Sequence, residues 1–432
     1  MSEHHAAGTS AIQRRTRRLL IGTQVLGGLG VGAGVTVTTL LAFELSGSAA
    51  LAGVAASASA FGAGLFAAAI GALSRFGRRP GLVGGYVVGM LGAGTAVMSA
   101  VLASFPLMVA ATFLFGASNA SNLQARYAAT DLASPARRGS DLSVVVWATT
   151  VGAVLGPNLT GPGVAAAELI GVPDLAGPYL LSSAGFAAAA LVLLVGLRPD
   201  PLLLARELLG APEVPQGTAA ATVRRKGAMA TGLAAVSTDP SARAAVATIA
   251  SAQAVMVGVM VMTPVHMEHH GADVSLIGLT ISLHILGMYA FSPVFGRLTD
   301  RLGARPVLGL GFVQLLAAVA LAAASTPQGG PGFIGGLLLL GTGWSAALIA
   351  SSSLLTASLP IDARAPAQGL SDLAMNVAGG GAGALSGLLM TLFGFPLMAA
   401  TTVLLLLVPA IMVLADARRP PRRVTDAIAA TP

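Results

Sequence analysis

One histidine lies deep inside an apolar segment of this sequence, where an ionisable side chain is costly. His284 is about ten residues into the segment that starts near Val274, and its neighbours are Leu283 and Ile285. Because an imidazole titrates between pH 5 and 8, His284 could take up and release a proton during a reaction cycle. The alternative is a neutral histidine that hydrogen-bonds to a neighbouring helix. Its position deep in an apolar segment makes His284 the first candidate for a functional side chain.

Three polar side chains share one face of another apolar segment. Asn119, Asn122 and Arg126 are spaced at i, i+3 and i+7, which places them in one stripe on a helix. Such a stripe either lines an internal cavity or hydrogen-bonds to a neighbouring helix. Weaker candidates for the same cavity are polar or aromatic residues within other apolar segments: Gln24, Trp147, Asn158, Gln253, Trp344 and Asn376.

Other kinds of chemistry have little support. His266 and His270 have a spacing that can hold a metal ion on a helix, but Gly271 follows at once and the segment is predicted to be a short loop. No metal site is therefore predicted. The sequence has no cysteine and no G-x-x-x-x-G-K-[ST] motif, which argues against thiolate chemistry and ATP hydrolysis. We predict no cofactor and no enzymatic activity.

Carboxylates are absent from the middle of every predicted membrane segment. Asp141 and Asp372 lie where two of these segments open, and a helix N-cap accounts for both. Glu44 lies at the outer end of the first segment. Proton coupling through Asp141 or Asp372 is therefore the lesser alternative.

The composition assigns these residues to a membrane protein. Of the 432 residues, 55% are hydrophobic and 9% are charged, whereas about 25% are charged in ordinary globular domains. A water-soluble protein of this size cannot cover its surface with so few charges, and a disordered chain would need low hydrophobicity. The net charge of +7 comes from short clusters beside apolar segments, which indicates membrane topology rather than nucleic-acid binding.

Twelve apolar segments approach the length of about 20 residues that crosses a bilayer. Every lysine and arginine falls in the terminal tails, the centre and alternate loops, whereas the remaining loops carry only acidic charges. This asymmetry predicts a protein of the cytoplasmic (plasma) membrane with both termini in the cytoplasm. The predicted segments are 19–42, 50–73, 82–103, 106–125, 141–159, 179–197, 244–264, 274–296, 307–324, 333–354, 370–392 and 396–414.

The chain divides into two similar halves. Residues 74–80 after the second segment resemble residues 300–306 after the eighth, and Gly152 and Gly156 are matched by Gly383 and Gly387. We predict an all-α membrane protein of two six-helix bundles related by a pseudo-two-fold repeat. The bundles are 1–197, with a cytoplasmic tail over 1–18, and 244–432, with a tail over 415–432; a cytoplasmic loop over 198–243 joins them. Paired six-helix repeats are one layout of secondary transporters.

The loop after the eighth segment resembles the signature loop of the major facilitator superfamily, G-x-x-x-D-R-x-G-x-R. Its matching residues are Gly296, Asp300, Arg301, Gly303 and Arg305. The first-half copy keeps Arg75 and Arg78 but has Ser74 in place of the aspartate. Gly152, Gly156 and Pro157 resemble a Gly-rich element of the fifth helix in the superfamily's exporters. In topology and repeat the resemblance covers essentially the whole chain.

The resemblance implies a conformational latch on the cytoplasmic side. Asp300 could cap the start of the fifth helix and pair with Arg137 or Arg138 in one conformation only. Ser74 cannot form the charged version of this contact in the first half. The alternative is that these arginines only enforce the membrane topology.

Together these features predict a secondary transporter that works by alternating access. The first hypothesis is proton-coupled efflux of a small, fairly hydrophobic organic compound by a monomer in the lipid bilayer. The first segment lacks the carboxylate that many drug/proton exporters of the superfamily carry there, which counts against that subclass. The alternatives are an uptake symporter or a uniporter of a small metabolite. A remote alternative, an integral-membrane enzyme or sensor, would need a catalytic group of residues at one membrane face, and no nucleic-acid partner is expected.

Overall fold

The computed structural model describes residues 3–210, 220–272, 274–324 and 330–417, and within them all regular structure is helical. Short turns and single-turn 3₁₀ helices connect the α-helices. In chain order these are α1 (Glu3–Ser46), α2 (Ala49–Leu73), α3 (Arg78–Val101), α4 (Phe105–Ala128), α5 (Arg138–Leu155), α6 (Thr160–Ile170), α7 (Gly177–Gly196), α8 (Pro201–Leu208), α9 (Ala220–Thr238), α10 (Pro240–His269), α11 (Val274–Tyr289), α12 (Ser292–Leu302), α13 (Ala304–Ala324), α14 (Pro331–Ser358), α15 (Ile361–Thr402) and α16 (Leu404–Ala417).

The predicted membrane segments all coincide with helical stretches, which confirms the all-α membrane class. Ten stretches of the described residues are long and apolar enough to cross a membrane. One of them, Ile361–Asp416, contains the last two predicted segments, and the backbone turns sharply between these at Gly394, whose φ of +72° suits a residue without Cβ. The predicted fourth segment is α4. It is not among the ten stretches because the polar residues along it lower its mean hydropathy.

Two of the predicted helices are interrupted. The predicted eighth segment is divided into α11 and α12 by a turn at Ala290 and Phe291, just before Pro293. The fifth ends as an α-helix at Leu155, passes through a 3₁₀ turn at Pro157 and continues as α6. A proline lacks the amide hydrogen that a helix interior needs, so both breaks lie where the sequence contains one.

Apolar side chains form two main clusters that follow the two halves of the chain. One cluster has its buried members between Leu20 and Leu197. The other has them between Ala244 and Val413 and adds Leu142 and Val146 of α5. We therefore propose the division into 1–197, 198–243 and 244–432 as the domain organisation.

The predicted central loop and N-terminal tail contain helices. Residues 198–243 include α8, α9 and the start of α10, and Val236 of α9 packs with Leu355 of α14 and with Leu359 just after that helix. The predicted tail over 1–18 is continuous with α1 from Glu3 onward. Sequence patterns missed these helices because helix packing, rather than membrane-length hydropathy, holds them. Residues 211–219 of the loop and 418–432 of the C-terminal tail lie outside the described residues.

Helices α1 and α5 approach each other through glycines. A Cβ on Gly152 would lie 2.3 Å from the carbonyl carbon of Gly28, and one on Gly156 would lie 2.5 Å from the Cα of Gly32. Small residues allow this backbone contact, which takes the place of a hydrophobic driving force between helices in lipid. Gly152 and Gly156, which the sequence placed in an exporter-like element, thus pack α5 onto α1.

The variant Gly152→Ala is expected to lower the free energy of unfolding by about 1–3 kcal/mol because the added methyl group overpacks the contact with Gly28. Thermal unfolding of the purified full chain in detergent would measure this change. Gly94→Ala is the matched control, since a Cβ on Gly94 of α3 meets nothing within 4 Å. Equal stability of the two variants would contradict the tight α1–α5 contact.

Candidate functional site

A buried ion pair joins the two halves. Arg126 of α4 donates from Nη2 to the carboxylate of Asp372 of α15 at 2.5 Å, and the two side chains are 1% and 0% exposed. Gln124 donates to the second oxygen of Asp372 at 2.8 Å, and Arg126 donates from Nε to Ser352 of α14 at 3.2 Å. Arg126 and Asp372 therefore neutralise each other in a site that excludes water.

The N-cap roles predicted for two aspartates are wrong. Asp372 lies well inside α15, which begins at Ile361, so its carboxylate faces the other half instead of a helix start. Asp141 lies in the first turn of α5, where its carboxylate accepts hydrogen bonds from Gln13 at 2.8 Å and Arg17 at 2.7 Å. The sequence estimate placed the start of α15 too late because its first turns are less apolar than the membrane segment.

Asp300 of α12 lies at the start of α5, as the signature loop implied. Its carboxylate accepts hydrogen bonds from the amide nitrogens of Gly139 at 2.7 Å and Ser140 at 2.8 Å, and from the Ser140 hydroxyl at 2.5 Å. The helix dipole favours a negative charge there. A Cβ on Gly139 would lie 2.6 Å from the carbonyl oxygen of Gly296, so two glycines allow the close approach of α12 and α5.

The arginines of the predicted latch have other positions than the signature loop implied. Among the described residues, neither Arg137 nor Arg138 forms an ion pair with Asp300, whose hydrogen bonds go to α5 itself. Arg305 pairs with Asp416 inside the second half at 2.8 Å, and Arg301 is exposed. Gly303 ends α12 with a φ of +88°.

The first-half copy of the loop forms its contacts through residues far away in sequence. Arg78 donates to both oxygens of Asp131, at 2.7 and 3.0 Å, and to Gln368 of α15 at 2.8 Å. The Ser74 hydroxyl donates to the Ile70 carbonyl of α2, the helix that ends just before it. Asp200, before α8, accepts a hydrogen bond from the Arg79 amide at 2.8 Å and thereby lies at the start of α3.

Arg75, the other predicted residue of this copy, has a guanidinium that lies over the Phe76 ring at 4.5 Å, while its carbonyl accepts a hydrogen bond from Arg206. The candidates predicted from the sequence did not include Asp131, Asp200, Gln124 or Gln368. The available signal was weak: Asp131 is an isolated acid in a basic loop, and the two glutamines have no distinctive spacing.

His284 forms a hydrogen bond to a neighbouring helix, as expected for a structural histidine. Its Nδ1 lies 2.9 Å from the carbonyl oxygen of Leu337 in α14, so the ring donates from Nδ1 and packs α11 onto α14. The side chain is buried, and its Nε2 has no hydrogen-bond partner among the described residues.

The predicted cavity residues form several separate hydrogen bonds, within each half and between the halves. Asn122 accepts a hydrogen bond from Tyr86 within the first half, whereas Arg126 from the same predicted stripe contacts the second half, and Asn119 is half-buried. Trp147 of α5 is 42% exposed. The remaining contacts are Gln24 to Thr149 at 3.2 Å, Trp344 to Gln253 at 2.6 Å, Asn376 to the Asp372 carbonyl at 2.8 Å and Asn158 to the Val154 carbonyl at 2.9 Å.

The histidines near the end of α10 are helical rather than in a loop. The helix continues past Pro264 to His269 because its last turns pack against aromatic rings. The His266 ring stacks on Phe395 with centroids 4.2 Å apart, and His270 Nδ1 lies 2.8 Å from the His266 carbonyl. This contact ties the end of α10 to the turn that follows Gly394.

Several known proteins are similar to this chain in sequence and in fold. The profile of the Major Facilitator Superfamily matches residues 19–271 and 243–431. The chain is 38% identical over 410 residues to the uncharacterized MFS-type transporter YddS of Bacillus subtilis, covering 93% of this chain and 91% of that protein. It is 29% identical over 306 residues to the riboflavin transporter RfnT of Brucella anthropi, covering 70% of each.

A solved structure shows the same fold. The human organic anion transporter MFSD10 superposes with a TM-score of 0.74 at 19% identity, covering 93% of this chain and 99% of that one. Because the family match spans most of the sequence and agrees with the helical architecture, the chain belongs to the major facilitator superfamily and is a multi-pass membrane transporter, not an enzyme.

Proposed function

We propose that the protein exports a small organic compound across the plasma membrane by alternating access, coupled to protons and acting as a monomer. The observation that carries this proposal is the Arg126–Asp372 ion pair, which is buried between the two halves. The pair must separate before the halves can part at this end, so it links the conformational change to the charge of Asp372.

The contacts between the halves support a conformation that is closed at the arginine-rich, predicted cytoplasmic end. Three contacts lie at this end: Asp300 with the start of α5, Arg78 with Gln368, and Arg126 with Asp372. Farther along α15, a Cβ on Gly380 or Gly381 would meet nothing within 4 Å. The rocking of two bundles about a central site accounts for this asymmetry.

Proton coupling follows from the cost of burying unpaired charge. If Asp372 separated from Arg126 while ionised, a desolvated carboxylate would lose its counter-charge. Protonation of Asp372 removes the charge from that carboxylate and leaves Arg126 uncompensated for as long as the site stays closed. Opening hydrates Arg126, so proton binding and opening favour each other. His284 remains the second candidate for the coupling residue, since its Nε2 has no hydrogen-bond partner among the residues that the structure describes.

Substrate and direction are proposed from chemistry and relatives. The scarcity of charge within the membrane segments suits an apolar or weakly polar compound, and the Gly152–Pro157 element favours export. The second candidate is uptake or uniport of a metabolite; the similarity to a riboflavin transporter supports a metabolite as the substrate. Riboflavin, lipophilic cations and antibiotics are therefore the compounds to test.

Proton flux in proteoliposomes under an imposed pH gradient would test coupling, with each compound added in turn. We expect substrate-triggered proton movement that Asp372→Asn abolishes, because an amide cannot carry the proton. His284→Gln is expected to retain it, since a glutamine amide can still donate to the Leu337 carbonyl. Loss in His284→Gln with retention in Asp372→Asn would move coupling to α11. Substrate movement without proton movement would indicate a uniporter or another coupling ion.

A further inference from the structure

An open cavity of about 680 Å³ lies at the arginine-rich end, between α1 and α5 of the first half and α12 of the second. Its charged lining comes from both halves. The lining residues are Arg17, Arg18, Ile21, Ala136, Arg137, Ser140, Asp141, Val144, Arg297, Asp300 and Arg301.

The cavity carries an excess of positive charge. Five arginines and two aspartates line it, so the net charge is +3. Both aspartates are already engaged, Asp141 by Gln13 and Arg17 and Asp300 by the start of α5. Among the described residues, the remaining arginines of the cavity form no ion pair; they are Arg18, Arg137, Arg297 and Arg301.

The chemistry of this lining selects an anion with several acceptor oxygens. Guanidinium groups bind phosphate through paired, charge-assisted hydrogen bonds, and several groups converging on one space can share a single phosphate. Ile21, Ala136 and Val144 add an apolar wall beside the charges. From this arrangement we propose that the cavity is a phosphate-binding site, which takes either the headgroup of an anionic phospholipid or free phosphate.

Because the arginines come from both halves, the bound anion would stabilise one conformation. Arg18 and Arg137 belong to the first half, and Arg297 and Arg301 belong to α12 in the second. An anion bridging them loses half of its partners when the halves part at this end. Phosphate binding and closure therefore favour each other, whatever the transported substrate is.

The test is binding to the purified full chain in detergent, measured by thermophoresis with two probes: dioctanoyl phosphatidylglycerol and inorganic phosphate. The variant Arg18→Gln/Arg297→Gln removes one charge from each half and is expected to weaken binding by about tenfold or more. Arg243→Gln, an exposed arginine of α10 outside the cavity, is the matched control and should change binding by less than about twofold. An unchanged elution profile of the double variant shows that it is folded.

The two probes distinguish the sources of phosphate. Binding of the lipid that inorganic phosphate displaces identifies a headgroup site, and binding of inorganic phosphate alone identifies a site for the free ion. A charge-reversed variant, Arg297→Glu, should weaken the binding of either probe, and should do so more strongly than Arg297→Gln. The proposal is overturned if neither probe binds, if the double variant binds as the natural chain does, or if Arg243→Gln weakens binding equally.

Discussion

The variant Asp372→Asn is expected to lower the free energy of unfolding by about 3 kcal/mol, because it leaves Arg126 as an uncompensated charge in a site without water. Asp372 is fully buried and accepts hydrogen bonds from Arg126 and Gln124, so no solvent replaces the lost charge. The neutral double variant Arg126→Gln/Asp372→Asn removes both charges and is expected to be more stable than Asp372→Asn. Thermal unfolding of the four proteins in a double-mutant cycle would measure the coupling.

The same helix supplies a control for this prediction. Asp362 pairs with Arg206 at 3.2 Å, but its side chain is 61% exposed. Exposed pairs contribute about 0–1 kcal/mol, so Asp362→Asn should have a small effect. If Asp372→Asn is no more destabilising than Asp362→Asn, or if the two single changes simply add, the ion pair does not hold the halves together.

The variant Asp300→Ala is expected to shift the protein toward the conformation that is open at the arginine-rich end. It removes the hydrogen bonds to Gly139 and Ser140 and the charge at the start of α5. A helix cap contributes about 1 kcal/mol and the charge–dipole interaction adds about 0.4 kcal/mol, so the equilibrium should move by about tenfold. The shift should appear as faster exposure of the surface between α5 and α12.

Thiol labelling can measure this shift because the sequence contains no cysteine. Ser143 of α5 is buried and its carbonyl accepts a hydrogen bond from Ser292, so Ser143→Cys reports on this surface. Labelling of this cysteine should become about tenfold faster with Asp300→Ala. Asp239→Ala removes the cap of α10, a helix outside the contact between α5 and α12, and should leave the rate unchanged. Equal rates with and without Asp300 would rule out a latch.

Local patterns in the sequence predicted the helices and their environment well. In a bilayer each backbone amide must be satisfied inside its own segment, so a run of about 20 apolar residues has few alternatives to a helix. The same reasoning failed where packing decides: α8 and α9 lie in a segment predicted as a loop, and α10 continues through Pro264 and the histidines after it. Helix ends were also misplaced, which turned Asp372 from an interior residue of α15 into a supposed cap.

The candidate site was predicted only where a motif carried it. The signature loop led to Asp300 and the start of α5, whereas the pairing of Asp300 with Arg137 or Arg138 is not formed in this conformation and stays a prediction. Arg126 was selected as part of a polar stripe, but its partner Asp372 is 246 positions away. His284 was ranked first because an ionisable group within a membrane is costly, and its bond to the Leu337 carbonyl explains that position without chemistry.

The sequence by itself determined the membrane environment, the helical class, the repeated halves and the superfamily, since each of these depends on hydropathy, charge or spacing along the chain. The tertiary structure alone decided which charges meet: Arg126 with Asp372, Arg78 with Asp131 and Asp300 with α5. Helical periodicity states which side chains share a face but not which helix lies opposite that face. The opposing helix depends on how the bundles dock, and that is set by packing between residues far apart in the chain.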